Sequence, residues 1–506
     1  MILINMLLKK LIKNLPKEKN KIEITGLEIN SKKIKKGYIF FAIKGSKFNG
    51  EKYIKEAVKK GAAVVVCSKS CKFKSENVII IKTKDIRNFL SEISSKFFEL
   101  KPKNIIAVTG TNGKTSVADL FYQILKINKI PVASIGTLGV KIKDKIIKTD
   151  LTSPDTILLH KNLEMIKKNN IDNVIIEASS HGLHQKRLNH LNIKAGIFTN
   201  FSQDHLDYHK TMQAYLKAKL LLFTKILSEK KTIISDSAIR EFSILKKISK
   251  KKKFNVIFIN KTKERFNDTK NLNLNNFQKK NLAMAVAASK LCNVQKKQMI
   301  NSLKKIRDVS GRLELVKIFN NNVKVFVDFA HTPDALSKTL NELKNFYGEN
   351  ISLVFGCGGD RDYKKRPLMA KIASDNCKKI YVTDDNPRNE KPEIIRKEII
   401  KKINNKNCYN IGNRKEAIKN SILNAAPNEI ILIAGKGHEN KQIYKDKIIK
   451  ISDKKIVKNL KINKKKISKK NQNFLQNKKI IENICKKKKL KNFHGISIDS
   501  RLVKKG

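Results

Sequence analysis

KPKNIIAVTGTNGKTSVADLF, residues 101–121, is the stretch whose reading decides the fold. Ile105–Val108 is a short apolar run of strand type, Gly110 and Gly113 punctuate a turn, and a helical pattern opens near Lys114. A strand that ends in a glycine turn at a helix N-terminus presents backbone N–H groups and the positive end of the helix dipole to anions. In that frame Gly110, Thr111, Asn112 and Gly113 cradle phosphate oxygens, Lys114 reaches the β- and γ-phosphates of ATP, and the Thr115 hydroxyl can ligate Mg2+. The spacing is G-x-x-G-K-T, with Val108 where the commonest phosphate loop has its first glycine. A chance glycine turn beside a surface lysine would not require the flanking strand and helix.

Outward from this turn, strand patterns at 173–178, 195–200 and 231–235 alternate with helical patterns at 156–169 and 211–227. That alternation predicts a parallel sheet covered on both faces. A third unit opens near Gly311, with strands at 323–329, 352–357, 378–384 and 429–435 and helices at 333–346, 391–403 and 414–424. Upstream, strands at 39–43 and 62–67 flank a helix at 53–61 that ends on Gly61. The expected architecture is α/β in three domains: a small N-terminal unit over 1–100, a central unit of P-loop ATPase type over 101–310, and a Rossmann-like C-terminal unit over 311–460. Residues 461–506 read as a lysine- and asparagine-rich linker with a last segment, HGISIDSRLVKKG, that repeats TGLEINSKKIKKG at 25–37.

Over 506 residues the chain carries 109 Lys+Arg against 44 Asp+Glu, a formal charge of +65. The lysines run along the whole length, so the bias reads chiefly as solvated faces; it would also favour a phosphate-rich substrate. A nucleic-acid-binding ATPase would need aromatic stacking platforms or a basic stripe on one element, and neither is evident. No apolar run reaches about 18 residues, which excludes a membrane-spanning helix. Lys9, Lys10 and Lys13 interrupt the apolar N-terminus, which reads as a short amphipathic helix and not a secretory signal. The seven scattered cysteines include Cys67 and Cys71, with no second pair or nearby histidine to complete a metal site. Free thiols in the cytoplasm are expected.

Glu177 closes the strand at 173–178, where a carboxylate faces the phosphate turn across neighbouring strand ends. TNFSQDHLDYH adds Asn200, Asp204, His205, Asp207 and His209. One carboxylate and one imidazole make a plausible Mg2+ shell once phosphate oxygens complete it. Helix capping by Asp204 or Asp207 and a surface position for His209 are the competing assignments.

The phosphate turn is followed, in order, by EASSHGLHQKRL (177–188), FTNFSQDHLDYH (198–209), YLKAKLLLF (215–223), SGRLE (310–314), DFAHTPDAL (328–336), FGCGGDRDYKKRPLM (355–369), TDDNPRNEKP (383–392) and AGKGHE (434–439). Over about residues 20–460 this set resembles the Mur ligase family. The resemblance implies an ATP-dependent amide ligase of three domains that lengthens the peptide of UDP-N-acetylmuramoyl-L-alanyl-D-glutamate through an acyl phosphate. It implies Thr115, Glu177, His205 and Lys219 as Mg2+ ligands, Lys219 being carbamylated, with Lys114 stabilising the transferred phosphoryl group. Asn281, Arg312, Asp328 and His331 are implied nucleotide contacts. Thr152, Ser153, Ser179, Gln185 and Arg187 match precursor-binding positions, and Ser31 matches one near the uridine diphosphate.

Asp385-Asn386-Pro387-Arg388, with Arg361, Gly435 and Glu439, matches members that use meso-diaminopimelate. Its distal carboxylate suits a guanidinium and its distal ammonium a carboxylate. An L-lysine-adding member and a folylpolyglutamate synthase-like ligase are the nearest rivals. A cytoplasmic monomer is expected, without membrane insertion or specific nucleic-acid binding. The tail resembles the opening of the D-alanyl-D-alanine-adding relative. The chain departs from the family pattern at Asn30, Leu151 and Gln278, and it is short between 236 and 272.

Overall fold

The computed structural model describes residues 5–461 except 14, 15, 17, 18, 20, 46, 47, 150, 260–275 and 320. The linker and repeat expected beyond 461 lie outside the described residues.

Period-two alternation in the phosphate-turn strand, Asn104–Thr109, sends its side chains into two cores. Ile106 and Val108 pack with Val117 and Phe121 of the following helix, Lys114–Ile127. Ile105 and Ala107 pack on the other face with Leu159 and Leu163 of the helix Thr156–Lys168. Each such fully buried side chain contributes roughly 1.5–3 kcal/mol, and burial on both faces is what a parallel sheet requires.

This strand lies within an eight-stranded sheet ordered Lys145–Ile147, Gly139–Ile142, Val132–Gly136, Asn173–Glu177, Asn104–Thr109, Ile193–Phe198, Thr232–Ser235 and Asn255–Phe258. From Val132–Gly136 onward the pairing is parallel. Register aligns Glu177 with Val108 and Phe198 with Thr109. That alignment brings Glu177 and the TNFSQDH segment to the strand ends from which the glycine turn springs.

The C-terminal sheet has six strands ordered Glu314–Ile318, Lys324–Val327, Ile430–Ile433, Ile351–Phe355, Lys379–Val382 and Cys408–Asn410. Only its first pair is antiparallel. The N-terminal sheet pairs Gly26–Glu28, Tyr38–Phe41, Ala62–Ser68 and Ile79–Thr83 in parallel. Its helix Ile86–Phe97 lies against Thr156–Lys168 of the central unit.

Two features differ from the sequence reading. The N-terminal amphipathic helix is a single turn, Leu8–Leu11, and Met6–Leu7 pairs as a strand with Glu23–Ile24. Leu8 and Leu11, three residues apart on one face of that turn, are buried in the N-terminal core as the amphipathic pattern expects. The central sheet also carries an antiparallel edge, residues 139–147, folded back on Val132–Gly136. Gly139 (φ +95°) permits this hairpin, since a Cβ there would sit 2.5 Å from the Ile147 carbonyl oxygen.

Candidate active site

The carboxyl ends of the central sheet and the facing C-terminal unit enclose a cavity of about 1190 Å³. Roughly 300–1,000 Å³ suffices for one drug-sized ligand, so this space suits more than one substrate.

Its floor is the phosphate turn. Gly113, with φ +85°, caps the helix Lys114–Ile127, and a Cβ on it would meet Asn281 Oδ1 at 2.5 Å. Thr199 and Asn200 brace the turn: Thr199 Oγ1 donates to the Asn112 carbonyl at 2.6 Å, and Asn200 Oδ1 accepts from the Asn112 N–H at 3.0 Å. Lys114 Nζ folds back onto the Gly110 and Thr111 carbonyls at 2.8 and 2.9 Å. Burial holds its pKa below the usual lysine value.

Glu177 accepts from the Thr115 hydroxyl at 2.9 Å and from both the N–H and hydroxyl of Thr137 at 2.8 and 3.0 Å. Arg312 of the C-terminal unit crosses the domain boundary and donates from Nη2 to Thr115 Oγ1 at 3.0 Å. Its guanidinium lies over the Phe329 ring and beside Asp328, and its Nη1 is buried without a partner among the described residues. Asn281 Nδ2 is likewise unpartnered. Two orphaned donors aimed at the phosphate turn are costly unless an acceptor arrives, so they mark a place for a ligand.

His205, in the left-handed region at φ 55°, sits 3.3 Å from Asp204. His331 approaches the same carboxylate at 3.6 Å. Burial pushes the His205 imidazole down to about 3, which keeps it a neutral nitrogen donor. Lys219 is fully buried; its Nζ donates to the Gly110 carbonyl at 2.6 Å. Burial first, and then the Lys114 charge, holds its amine well below the usual lysine range. Among the described residues no group of three or more His, Cys, Asp and Glu side chains converges as a metal site.

On one wall, Ser153 Oγ donates to the Glu177 carbonyl at 2.7 Å and Arg187 Nη1 to the Ser153 carbonyl at 2.6 Å. Arg187 Nη2 is held by Gln185 at 2.7 Å. Ser179 caps the short helix Ser180–His184, and Thr152 lies within 3.2 Å of Thr137. Ser31 is not brought to the cavity: it donates to Glu56 at 2.8 Å inside the N-terminal unit.

On the opposite wall, Arg388 Nη1 donates to the Gly359 carbonyl at 2.8 Å. Burial, and then the neighbouring Arg361, lowers its pKa. Asn386 Nδ2 donates to Glu439 Oε2 at 3.0 Å, and the fully buried Lys436 donates to both residues at 3.0 and 2.9 Å. Gly435 faces Asp385: a Cβ there would lie 2.7 Å from Asp385 Oδ2. Pro387 completes this loop, and its carbonyl is 1.9 Å from where a Cβ on Gly359 would fall.

The sequence reading did not single out Thr137, Thr199 or Lys436. Thr137 follows a glycine whose added Cβ would strike Glu177, but nothing in the linear sequence pairs those residues. Lys436 was one lysine among many.

Three Mur ligase descriptions match the chain: the family's catalytic domain over residues 23–98, the middle domain over 108–302 and the glutamate ligase domain over 311–437. Relatives named UDP-N-acetylmuramoyl-L-alanyl-D-glutamate--2,6-diaminopimelate ligase include that of Rickettsia bellii, 42% identical over 460 residues and covering 86% of this chain and 95% of the relative. That of Brucella melitensis is 34% identical over 461 residues, covering 87% and 94%. A solved structure of an enzyme with that name is 28% identical with a TM-score of 0.62, covering 90% of this chain and 98% of its own. The MurF ligase of Thermotoga maritima, solved with ADP, shares the fold at 16% identity and a TM-score of 0.54, with coverage of 81% and 93%.

Proposed function

This chain belongs to the Mur ligase family, and from that premise we propose that it adds meso-2,6-diaminopimelate to UDP-N-acetylmuramoyl-L-alanyl-D-glutamate, using ATP, in peptidoglycan precursor synthesis. The observation that carries this reading is the meeting, around one cavity, of a phosphate turn and the paired guanidinium and carboxylate of Arg388 and Glu439.

The domain roles follow. Residues 1–100 hold the uridine diphosphate end of the precursor, with Ser31 near it. Residues 101–310 bind ATP and residues 311–460 the incoming amino acid. The γ-phosphate rests on Gly110–Gly113, where Lys114 swings from its backbone carbonyls onto the phosphoryl oxygens. Arg312 fills its unpartnered Nη1 with a phosphate oxygen, and Asn281, Asp328 and His331 line the nucleotide's boundary with the C-terminal unit. Charge builds on the transferring oxygens, and these fixed donors stabilise it in a water-poor site.

Thr115 and Glu177 offer hard oxygen donors, and His205 a neutral nitrogen, so these residues fit Mg2+ once Lys219 is carbamylated. Bound there, the ion neutralises charge on the phosphates. Lys219 suits carbamylation because burial weakens its amine's hold on the proton, and the deprotonated amine is the form that attacks carbon dioxide; the product is an anionic oxygen donor where a cation would repel the metal.

Thr152, Ser153, Ser179, Gln185 and Arg187 orient the D-glutamyl carboxylate for attack on the γ-phosphorus. ADP leaves, and the carboxylate becomes an acyl phosphate. The amine of diaminopimelate then attacks the carbonyl carbon, phosphate departs, and the amide forms. Arg388 and Arg361 take the distal carboxylate of the amino acid while Glu439, steadied by Asn386 and Lys436, accepts from its distal ammonium.

The enzyme acts as a monomer in the cytoplasm. No described helix is long and apolar enough to cross a membrane. The test is phosphate release and product mass with ATP, Mg2+ and the precursor dipeptide, with meso-diaminopimelate or L-lysine supplied in parallel. Tripeptide formed only with diaminopimelate upholds the reading. Product only with L-lysine, or none with either amine from folded protein, overturns it.

A further inference from the structure

The hexapeptide KDKIIK occurs twice, at 143–148 and 445–450. In a chain rich in lysine and isoleucine the repetition alone carries nothing. Its placement does. Each copy forms the turn and outer strand of an antiparallel hairpin, one at the edge of the central sheet and one on the C-terminal unit. Both outer strands, Lys145–Ile147 and Ile448–Lys450, are exposed at every residue. Ile146 and Ile147 are 60% and 44% exposed, and Ile448 and Ile449 are 62% and 39% exposed. Isolated exposed isoleucines are unremarkable, but here Ile146 and Ile448, one from each hairpin, stand on opposite domains at the wall of one cavity, while strand alternation turns Ile147 and Ile449 to the other face. Ile146, Lys148 and Leu151 line it from the central side; Lys441, Ile443 and Ile448 line it from the other.

An existing contact already ties the two walls beside these hairpins. His438, just before the C-terminal hairpin, lies against the Thr137 backbone and near Lys141, just before and within the central one. Arg312 crosses to Thr115, and Asn112 donates to Asp334 at 3.1 Å. The apolar tips thus continue an interface that is already formed. Charge opposes their approach. Each hexapeptide has three lysines against one aspartate, so the two repel until a polyanion occupies the cavity between them.

We propose that the two hairpins are each other's partner: Ile146 closes on Ile448 over the bound substrates, forming an apolar clasp that decides whether amine or water takes the acyl group. This rests on the ligase reading above. The acyl phosphate has two fates. Attack by the amine nitrogen gives amide and phosphate. Attack by water on the same carbonyl carbon breaks the same carbon–oxygen bond, returns the carboxylate, and releases phosphate with no amide. Excluding water favours the first, and an apolar pair at the mouth excludes it.

Two readouts test the clasp. The first is coupling: phosphate released per tripeptide formed, in Ile146→Asn and Ile448→Asn enzymes. Both positions are exposed, so folding is retained. A rise of about threefold or more over the parent is expected. Coupling that stays at the parent ratio overturns the proposal. The second needs no turnover. An Ile146→Cys/Ile448→Cys enzyme is oxidised with and without precursor dipeptide and a non-hydrolysable ATP analogue, beside an Ile146→Cys/Leu423→Cys control. Ligand-dependent cross-linking at least about tenfold faster than in the control supports the clasp. Cross-linking no faster than the control overturns it. If the parent makes no tripeptide the ligase reading fails by itself, and the cross-link alone then decides for or against the clasp.

Discussion

Replacing Arg388 by lysine is the sharpest probe of amino-acid choice. The positive charge is kept, and an ammonium can still reach the Gly359 carbonyl that Arg388 Nη1 now binds at 2.8 Å. What is lost is the planar fork that can grip a carboxylate with two N–H donors. Arg388 and Arg361 lie close enough for each charge to be felt by the other, in a partly buried place, so an anion between them is well rewarded. A hydrogen bond to a charged group is worth about 1.5–3 kcal/mol, and at about 1.4 kcal/mol per decade Arg388→Lys should cost diaminopimelate about 10–100-fold in kcat/KM. L-lysine has no distal carboxylate, so its kcat/KM should stay within about twofold. The assay is tripeptide formation with each amine over a concentration series, with the KM for ATP followed as a control on the distant phosphate turn. An equal loss for both amines would mean that Arg388 shapes the loop and does not read the carboxylate. No loss for diaminopimelate would refute the assignment outright.

Lys219→Ala should lower kcat by about a hundredfold or more while nucleotide binding, followed by tryptophan-free methods such as equilibrium dialysis, changes little, since the lost oxygen ligand matters most as charge develops. Thr137→Val removes one of the two Thr137 bonds to Glu177 and keeps the backbone one, so a loss of about fivefold in kcat/KM for ATP is expected, equivalent to about 1 kcal/mol. His160, far from the phosphate turn in sequence and buried with neither ring nitrogen partnered among the described residues, is pushed down to about 3 by burial. The unfolded imidazole takes up a proton below about pH 6.5 and the folded one does not, so stability falls as pH drops from about 6.5 towards 3. His160→Leu should erase about 2 kcal/mol of that loss at pH 5, seen as a Tm gap between variant and parent that widens on acidification; a gap constant between pH 7 and 5 would count against the burial account.

Periodicity and glycine placement read the parallel core well. The strand at 104–109, the helix from Lys114 and the Rossmann-like alternation after Gly311 all lie where the sequence puts them, because continuous apolar runs bounded by turns have few other folds. The antiparallel edge at 139–147 was not legible: GVKIKDKII alternates over only four residues, with Val140 and Ile142 buried and the outer strand exposed, so only its position beside Val132–Gly136 makes it a hairpin. The short amphipathic N-terminal helix was legible, with Leu8 and Leu11 buried and Lys9 and Lys10 exposed, but the Met6–Leu7 strand before it was not, since its partner Glu23–Ile24 lies over a dozen residues on. Within the site, residues inside motifs could be named from the sequence, but their supports could not. Thr137 lies 40 residues from Glu177 and Lys436 50 from Asn386, and only the sheet registers bring them together.

The site's own side chains are electrostatically uncomfortable in a consistent direction. Lys114, Lys219 and Arg312 are buried near the same turn, and burial lowers all three pKa values. Arg312 and Asn281 leave donors unmet, and Arg361 stands against Arg388. A fold selected only for stability would exchange such groups for apolar ones, since buried unpaired cations and orphaned donors cost free energy. Nucleotide phosphates on the turn would meet the first set, a carbamate on Lys219 would remove one cation and add an anion, and a distal carboxylate would separate the two guanidiniums. Each discomfort is thus matched by one feature of one substrate or modification of the proposed reaction. The same matching predicts the order of consolidation: ligands that bring anions to the turn should stabilise the central and C-terminal units together, because Arg312 belongs to one and its partner Thr115 to the other.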